Sequence, residues 1–265
     1  MPIESKGVAT SFSFLDLEFS TLSFDEVLAD VASRAGLPRF SYIVTPNVDH
    51  VVKLRSATGG ATADAFCKAY EAAALRLCDS RILAGLAALC SIHLPVVPGS
   101  DLTAAIFDRV LVPGVRVAIV GGNGQTVSRL SALYPGVNFV QHIPPMGMLA
   151  NPAAMKIAED FVCDCGASMV LFATGAPQSE ILAHNCCVRG QASGVGLCIG
   201  ASIDFLLGDQ NRAPRWMQKM GLEWAHRLAS NPSRLWRRYL VEGPRIFVIT
   251  ARWWWKRRRQ AAEAS

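Results

Sequence analysis

The segment RVAIVGGNG, residues 116–124, decides the fold class of this chain. Its first five residues are nearly all apolar, which is typical of a strand buried on both faces of a parallel sheet. The glycines that follow predict a tight turn into a helix, where backbone N–H groups can approach a phosphate. Gly121, Gly122 and Asn123 are therefore candidate contacts for a nucleotide-sugar donor, although the spacing matches neither Gly-x-Gly-x-x-Gly nor a Gly-Lys-Ser/Thr phosphate loop. A plain tight turn is the alternative.

Similar apolar runs alternate with helical patterns over most of the chain. They predict strands at residues 40–44, 74–78, 116–120, 137–141, 169–173 and 196–199. Ser23 and Glu26 have the spacing of a capping box, which predicts the start of the first helix. This alternation predicts a Rossmann-like α/β fold, with a mostly parallel sheet and helices on both faces.

Three regions follow from this pattern. We predict a flexible N-terminus at residues 1–12, an α/β catalytic core at 13–207 and a helical, basic appendage at 208–265. No strand pattern is found after Asn211. Asn231-Pro232 and Gly243-Pro244 predict breaks between the helices of the appendage.

Positive charge is concentrated near the C-terminus of this chain, whose net charge is +5. Residues 212–259 hold 13 of its 26 Lys and Arg, against only two acidic residues, and tryptophans are interleaved with them. Guanidinium groups clamp diphosphates through paired N–H donors, and indoles settle among lipid headgroups. The region is therefore predicted to hold a phosphorylated ligand beside a membrane. A solvated basic face is the ordinary alternative.

Composition excludes several classes of protein. No window approaches the roughly 20 apolar residues that span a bilayer, and we expect no secretory signal because the N-terminus lacks a basic start followed by an apolar run. The eight cysteines include no Cys-x-x-Cys pair, so free thiols are expected rather than disulfides or zinc ligands.

Polar residues follow several of the predicted strands, at the edge where a parallel sheet binds ligands. Asp79 could accept a proton from a substrate hydroxyl, or it could cap the next helix. Thr45 and Asn47 could position a sugar, but Asn47 could equally cap the helix that begins at Val48. His50, one turn further on, is expected to be structural.

Arg227, Arg234 and Arg237 are the candidate diphosphate clamp. Their offsets of seven and ten residues place them close to one face if the helix is continuous. Residues 246–259, an aromatic run with a basic end, predict an interfacial helix on anionic lipid that can be deleted without unfolding the core. A core-docked helix and a nucleic-acid-binding tail are the alternatives.

Specific strings carry a resemblance that covers roughly residues 14–245. They are IGASIDFLLG at 199–208, RAPRWM at 212–217, GLEW at 221–224, NPSRLWRRYL at 231–240, TPN at 45–47, GSDL at 99–102 and GAP at 175–177. Together they closely resemble the WecG/TagA/CpsF family of glycosyltransferases. The resemblance implies inverting, metal-independent transfer of a sugar, usually from a UDP-linked donor, to a polyprenyl-diphosphate-linked saccharide. It places the protein in the bacterial cytoplasm, peripheral on the inner face of the plasma membrane, in the synthesis of exopolysaccharide or another cell-surface polymer.

The resemblance also implies residue roles. Asp79 matches the proposed base, Thr45 and Asn47 orient the sugar, and the three appendage arginines hold the diphosphate. Gly175, Pro177, Gln178 and Glu180 match a donor-binding loop. The chain departs from the family at both neighbours of Asp79, where Cys78 and Ser80 replace the Pro and Gly of a Pro-Asp-Gly motif, and at Ser179, which replaces the usual Gln.

Two other classes of function stay open beside the enzyme. One is a non-catalytic, membrane-associated scaffold that retains the fold. The other is a nucleic-acid binder using the basic tail, which we do not expect because the core offers no aromatic stacking platform or recognition helix. No cofactor is predicted, nor a metal site, since no Asp-x-Asp motif is present. Homo-oligomerisation is left open.

Overall fold

A six-stranded, all-parallel sheet forms the centre of the protein. The computed structural model describes residues 11–56 and 59–263. The strands are β1 (Ser11–Phe14), β2 (Leu17–Ser20), β3 (Ser41–Val44), β4 (Leu75–Arg76), β5 (Arg116–Gly121), β6 (Asn138–His142), β7 (Met169–Ala173) and β8 (Val195–Cys198). β3 to β8 make the sheet, in the order β4-β3-β8-β7-β5-β6. These are the six predicted strands, with ends shifted by at most two residues.

Helices cover both faces of this sheet. They are α1 (Phe24–Ala35), α2 (Val48–Ser56), α3 (Ala61–Glu71), α4 (Arg81–Leu89), α5 (Gly99–Arg109), α6 (Thr126–Leu133), α7 (Pro152–Asp164), α8 (Gln178–Arg189) and α9 (Ser202–Leu206), with a 3-10 turn at Met148–Ala150. Successive residues of a strand face opposite sides, so Val44 lies in one apolar cluster and Ile43 in the other. The α/β fold class is therefore confirmed. The capping box is also present, since Ser23 and Glu26 each bond the other's backbone N–H.

An antiparallel hairpin of β1 and β2 was not predicted from the sequence. Its two-residue turn places Leu15 and Asp16 at φ 54°. Hairpin turns of this kind usually contain glycine or asparagine, and this one carries neither, so the usual signal is missing. Ser11 and Phe12, assigned to the flexible N-terminus, belong to β1. Residues 1–10 of that predicted segment lie outside the described part of the chain.

The C-terminal region is helical. It consists of α10 (Arg215–Lys219), α11 (Glu223–Ser230), α12 (Pro232–Trp236), a π-helical turn (Arg237–Glu242) and α13 (Arg245–Glu263). We call residues 208–263 the appendage. The helix breaks predicted at Asn231-Pro232 and Gly243-Pro244 are present.

One face of α13 is docked on the core. Ile246 is 1% exposed, and the ring of Trp253 lies 5.4 Å from that of Phe14, edge to face. The Trp253 indole N–H also donates to Asp16 at 3.1 Å. The core-docked alternative therefore holds for this face, and deleting the helix is expected to destabilise the core by uncovering Phe14.

Candidate active site

Asp79 lies just beyond the edge strand β4, at the carboxyl edge of the sheet. Its backbone N–H donates to the carbonyl of Pro46 at 3.0 Å, which joins it to the loop after β3. Its Oδ1 accepts the backbone N–H of Gly99, at the start of α5, at 3.0 Å. The interpretation of Asp79 as the cap of the next helix is wrong, because Ser80 caps α4 through its Oγ.

The environment of Asp79 suits proton transfer. Burial raises the pKa of its carboxyl to about 7, although the Gly99 N–H and the Arg227 guanidinium act to lower it. Glu223 and Asp101 add repulsion that favours the neutral form. A general base is most effective when its pKa lies near the working pH, so this carboxyl is poised to accept a proton.

Thr45 is brought to the same place by the end of β3. Its Oγ1 donates to the Cys198 carbonyl at 3.0 Å, which ties β3 to β8. A Cβ added to Gly99 would lie 3.4 Å from Thr45 Oγ1 and 3.6 Å from Ser202 Oγ. Thr45, Gly99 and Ser202 therefore converge beside Asp79.

Asn47 caps the N-terminus of α2, which was the alternative to a role in sugar binding. Its Oδ1 accepts the backbone N–H groups of Asp49 at 3.0 Å and His50 at 3.3 Å, so it caps α2. This contact engages only the carbonyl oxygen of the side chain. A role for its NH₂ group in orienting a sugar stays a prediction.

The glycine turn after β5 is tightly built. Gly121 and Gly122 have φ of 110° and 74°, and a Cβ on Gly121 would lie 2.8 Å from the Ala173 backbone at the end of β7. The Gln141 side chain donates to the carbonyls of Gly121 at 2.8 Å and Asn123 at 3.0 Å. The close approach places this turn beside the loop after β7, and contact with a donor stays a prediction.

The loop after β7 is braced from within. The Ser179 Oγ lies 3.0 Å from the Thr174 Oγ1, and Ser179 is fully buried. Ser179 therefore holds the loop that contains Gly175 and Pro177, and its hydroxyl is engaged within that loop. Gln178, half-buried at the start of α8, stays a candidate.

Glu180 lies inside the protein beside His50. It is 1% exposed, its Oε1 is 4.0 Å from His50 Nδ1, and its Oε2 has no hydrogen-bond partner among the described residues. Burial raises the pKa of Glu180 to about 7 and lowers the pKa of His50 to about 3. His50 Nδ1 instead bonds the Tyr70 hydroxyl at 2.7 Å. Between about pH 3 and pH 7 both groups are therefore neutral, and the 4.0 Å separation is not an ion pair.

The three candidate arginines do not lie together. Arg227 stacks on the ring of Phe205, at 4.9 Å, and acts on Asp79. Arg234 acts on Asp204, where it offsets part of the rise in pKa caused by burial. The side chain of Arg237 is 75% exposed and pairs with Glu242 at 3.1 Å. Of the three, only Arg227 acts on the pKa of the candidate base.

Arg238 was missed as a candidate, although it adjoins Arg237 in the basic run. Its Nη2 lies 3.3 Å from the carboxylate of Asp49, in α2. Sequence alone offers no signal for this contact, because the partners are far apart in the chain and neighbouring arginines look alike.

The sheet edge described above brings together the carboxyl of Asp79, whose pKa is raised to about 7, and the hydroxyl of Thr45, and the guanidinium of Arg227 acts on that carboxyl. These features define an α/β enzyme of the Rossmann-like class. The model of the Glycosyl transferase WecG/TagA/CpsF family matches residues 12–260, and the chain belongs to this family. It is a glycosyltransferase, which implies a nucleotide-sugar donor and a saccharide acceptor. Among the described helices, none is both long enough and apolar enough to cross a bilayer.

Proposed function

We propose that this protein is an inverting glycosyltransferase that moves a sugar from a UDP-linked donor to a polyprenyl-diphosphate-linked saccharide. The acceptor hydroxyl oxygen attacks the anomeric carbon, and the bond from that carbon to the diphosphate oxygen breaks. Asp79 accepts the hydroxyl proton as the new bond forms. The observation that carries this proposal is the position of Asp79 at the carboxyl edge of the sheet, where its Oδ1 accepts the Gly99 N–H at 3.0 Å and burial raises its pKa to about 7.

Arginines of the appendage supply the positive charge that the leaving diphosphate needs. Arg227 already acts on Asp79, whose pKa it lowers, and Arg234 and Arg237 follow it in the same basic region. We propose that these two join the diphosphate when the donor binds, because an exposed guanidinium such as that of Arg237 can be redirected at small cost. Charge stabilisation of this kind does not require a metal ion.

The test of the catalytic proposal is Asp79→Asn. Turnover is measured as UDP released from UDP-sugars in the presence of a soluble acceptor analogue that carries a lipid diphosphate. We expect a loss of at least about 10²-fold, the usual contribution of a general base, with a melting temperature no lower than that of the wild type. Asp108→Asn is the matched control, since its side chain is 82% exposed on α5. Near-normal turnover of folded Asp79→Asn would remove Asp79 from the base role.

A membrane contact through α13 is the second part of the proposal. The face of α13 turned away from the core exposes Phe247 and Trp255, 57% and 60% exposed respectively. The same face of the helix carries three cations: Arg252, Lys256 and Arg259. Apolar and aromatic side chains flanked by cations suit the interface of an anionic bilayer. Because nucleotide sugars are cytoplasmic, we place this contact at the inner face of the plasma membrane.

Vesicle sedimentation tests this contact. The variant Phe247→Ser with Trp255→Ser is expected to lose most binding to phosphatidylglycerol vesicles, and neither protein should bind pure phosphatidylcholine. Val112→Ser is the control, because Val112 is also exposed but lies on the core. Equal binding by the double variant would refute the contact. Unlike a deletion of α13, these changes leave its docked face intact.

A further inference from the structure

The part of the appendage that carries Arg227 has little apolar anchorage. The elements α11, α12 and the π-helical turn, residues 223–242, contain no fully buried residue. The chain is fixed before this segment, where Arg212 binds Ser100 at 2.6 Å, and after it, where Ile246 is buried in the core. Segments with few buried contacts open at low free-energy cost, so polar contacts decide where this one lies.

One ion pair connects this segment to the core. The Arg238 Nη2 lies 3.3 Å from Asp49 Oδ2, and Lys53 Nζ contacts the same oxygen at 2.9 Å. The Asp49 side chain is only 10% exposed. Burial alone would raise the pKa of its carboxyl, but Arg238 and then Lys53 outweigh burial and hold the pKa below its ordinary value. Asp49 is therefore a charged, sheltered acceptor.

The position of Asp49 gives the ion pair its importance. Its backbone N–H is held by the Asn47 side chain, and the carbonyl of Pro46 binds the backbone of Asp79. The contact from Arg238 thus reaches the loop that adjoins the candidate base. The π-helical turn that begins at Arg237 supports this assignment, since such turns are rare and recur at functional sites.

We propose that Arg238 is a positioning residue, whose ion pair with Asp49 holds the appendage closed on the core and keeps Arg227 over Phe205, within electrostatic reach of Asp79. The closed position of the appendage follows from the contact between Arg238 and Asp49. Its catalytic consequence rests on the proposed function. Arg238 does not touch the reacting atoms and acts through Arg227.

Hydrogen exchange of the full chain tests the closed position without any substrate. In Arg238→Ala, amides of residues 223–242 are expected to exchange about fivefold faster, with the central sheet unchanged. Arg238→Lys should keep most of the protection, because it retains the charge. Arg245→Ala, an exposed arginine at the start of α13, is the control and should match the wild type.

A double-mutant cycle tests whether the two residues act through their ion pair. Asp49→Asn and Arg238→Ala alone should each speed exchange, and the double variant should exchange no faster than the faster single variant, because either change already removes the pair. Unchanged exchange in Arg238→Ala would overturn the proposal, and so would additive effects of the two changes. In the transfer assay, Arg238→Ala is expected to lower kcat about tenfold. Faster exchange with full kcat would refute the catalytic part alone, whereas absence of transfer in the wild type would count against the proposed function.

Discussion

Replacing Glu180 by Gln is expected to stabilise the protein at alkaline pH. Glu180 is 1% exposed and one of its oxygens lacks a hydrogen-bond partner among the described residues. Its pKa is raised from 4.5 to about 7 by burial. Each unit of pKa corresponds to about 1.4 kcal/mol, so ionising this carboxyl in place costs the folded state about 3 kcal/mol. Gln has nearly the same shape and carries no charge.

The sign of the pH dependence follows from the direction of the pKa shift. Between pH 4.5 and 7 the folded protein holds a proton on Glu180 that the unfolded chain has released, so the folded state loses stability as the pH rises. The cost is absent below pH 4.5 and complete above pH 7. The advantage of Glu180→Gln should therefore be negligible at pH 4 and reach about 3 kcal/mol at pH 8. His50 titrates in both proteins, so it drops out of the difference.

Thermal unfolding at a series of pH values measures this difference. For a chain of 265 residues, about 3 kcal/mol corresponds to a rise in Tm of about 5 °C. Glu71→Gln, at an exposed position, is the control and should shift Tm by less than about 1 °C. A less stable Glu180→Gln at pH 8 would mean that Glu180 is a paired, ionised group, and the reasoning would fail. The same variant tests the predicted contact between Glu180 and the donor. If that contact exists, its loss in Glu180→Gln should raise the KM for the donor.

Three further predictions concern catalysis, the glycine turn and α13. For the wild type, kcat/KM should fall about tenfold per pH unit below pH 7 and level off above it, since Asp79 must be ionised to act as a base; a flat profile from pH 5 to 8 would contradict this. In urea denaturation, Gly121→Ala should lower the free energy of unfolding by at least about 2 kcal/mol, because φ is 110° and the new Cβ would meet the β7 backbone at 2.8 Å. Gly124→Ala is the control and should be nearly neutral, because a Cβ there meets open space. Trp253→Ala, on the docked face of α13, should lower the free energy of unfolding by about 2 kcal/mol or more. Trp255→Ala, on the exposed face, should lower it by less than about 0.5 kcal/mol. Equal losses would show that α13 is not docked this way.

The strands and the fold class were predictable because local chemistry determines them. Residues 117–120 and 169–173 are continuous apolar runs, and a strand covered by helices on both faces needs apolar side chains on both. The breaks at Pro232 and Gly243 were predictable for a similar reason, since proline and glycine restrict or free the backbone of their own residues. The β1–β2 hairpin was not, because its turn uses Leu15 and Asp16.

Family strings in the sequence pointed to the enzyme class, and the match over residues 12–260 confirms the family. The placement of Asp79 at the sheet edge follows from the position of its strand. Ser179 shows the limit of such strings: its place in the motif left the donor contact open, and only the fold shows that its hydroxyl bonds Thr174 inside the protein.

The amino-acid sequence by itself determined the parallel sheet, the helical C-terminus and the family, because each depends on side chains and backbone preferences within short segments. Tertiary structure alone decided the pKa values of Asp79 and Glu180. It also decided which arginines of the basic run act on the core. A pKa depends on burial and on charges from distant segments, as Arg227 acts on Asp79. For the same reason the basic run could not show that Arg238 would reach Asp49 while Arg237 points to solvent. Adjacent residues of a helix diverge by about 100°, and only the packed fold determines which of them meets the core.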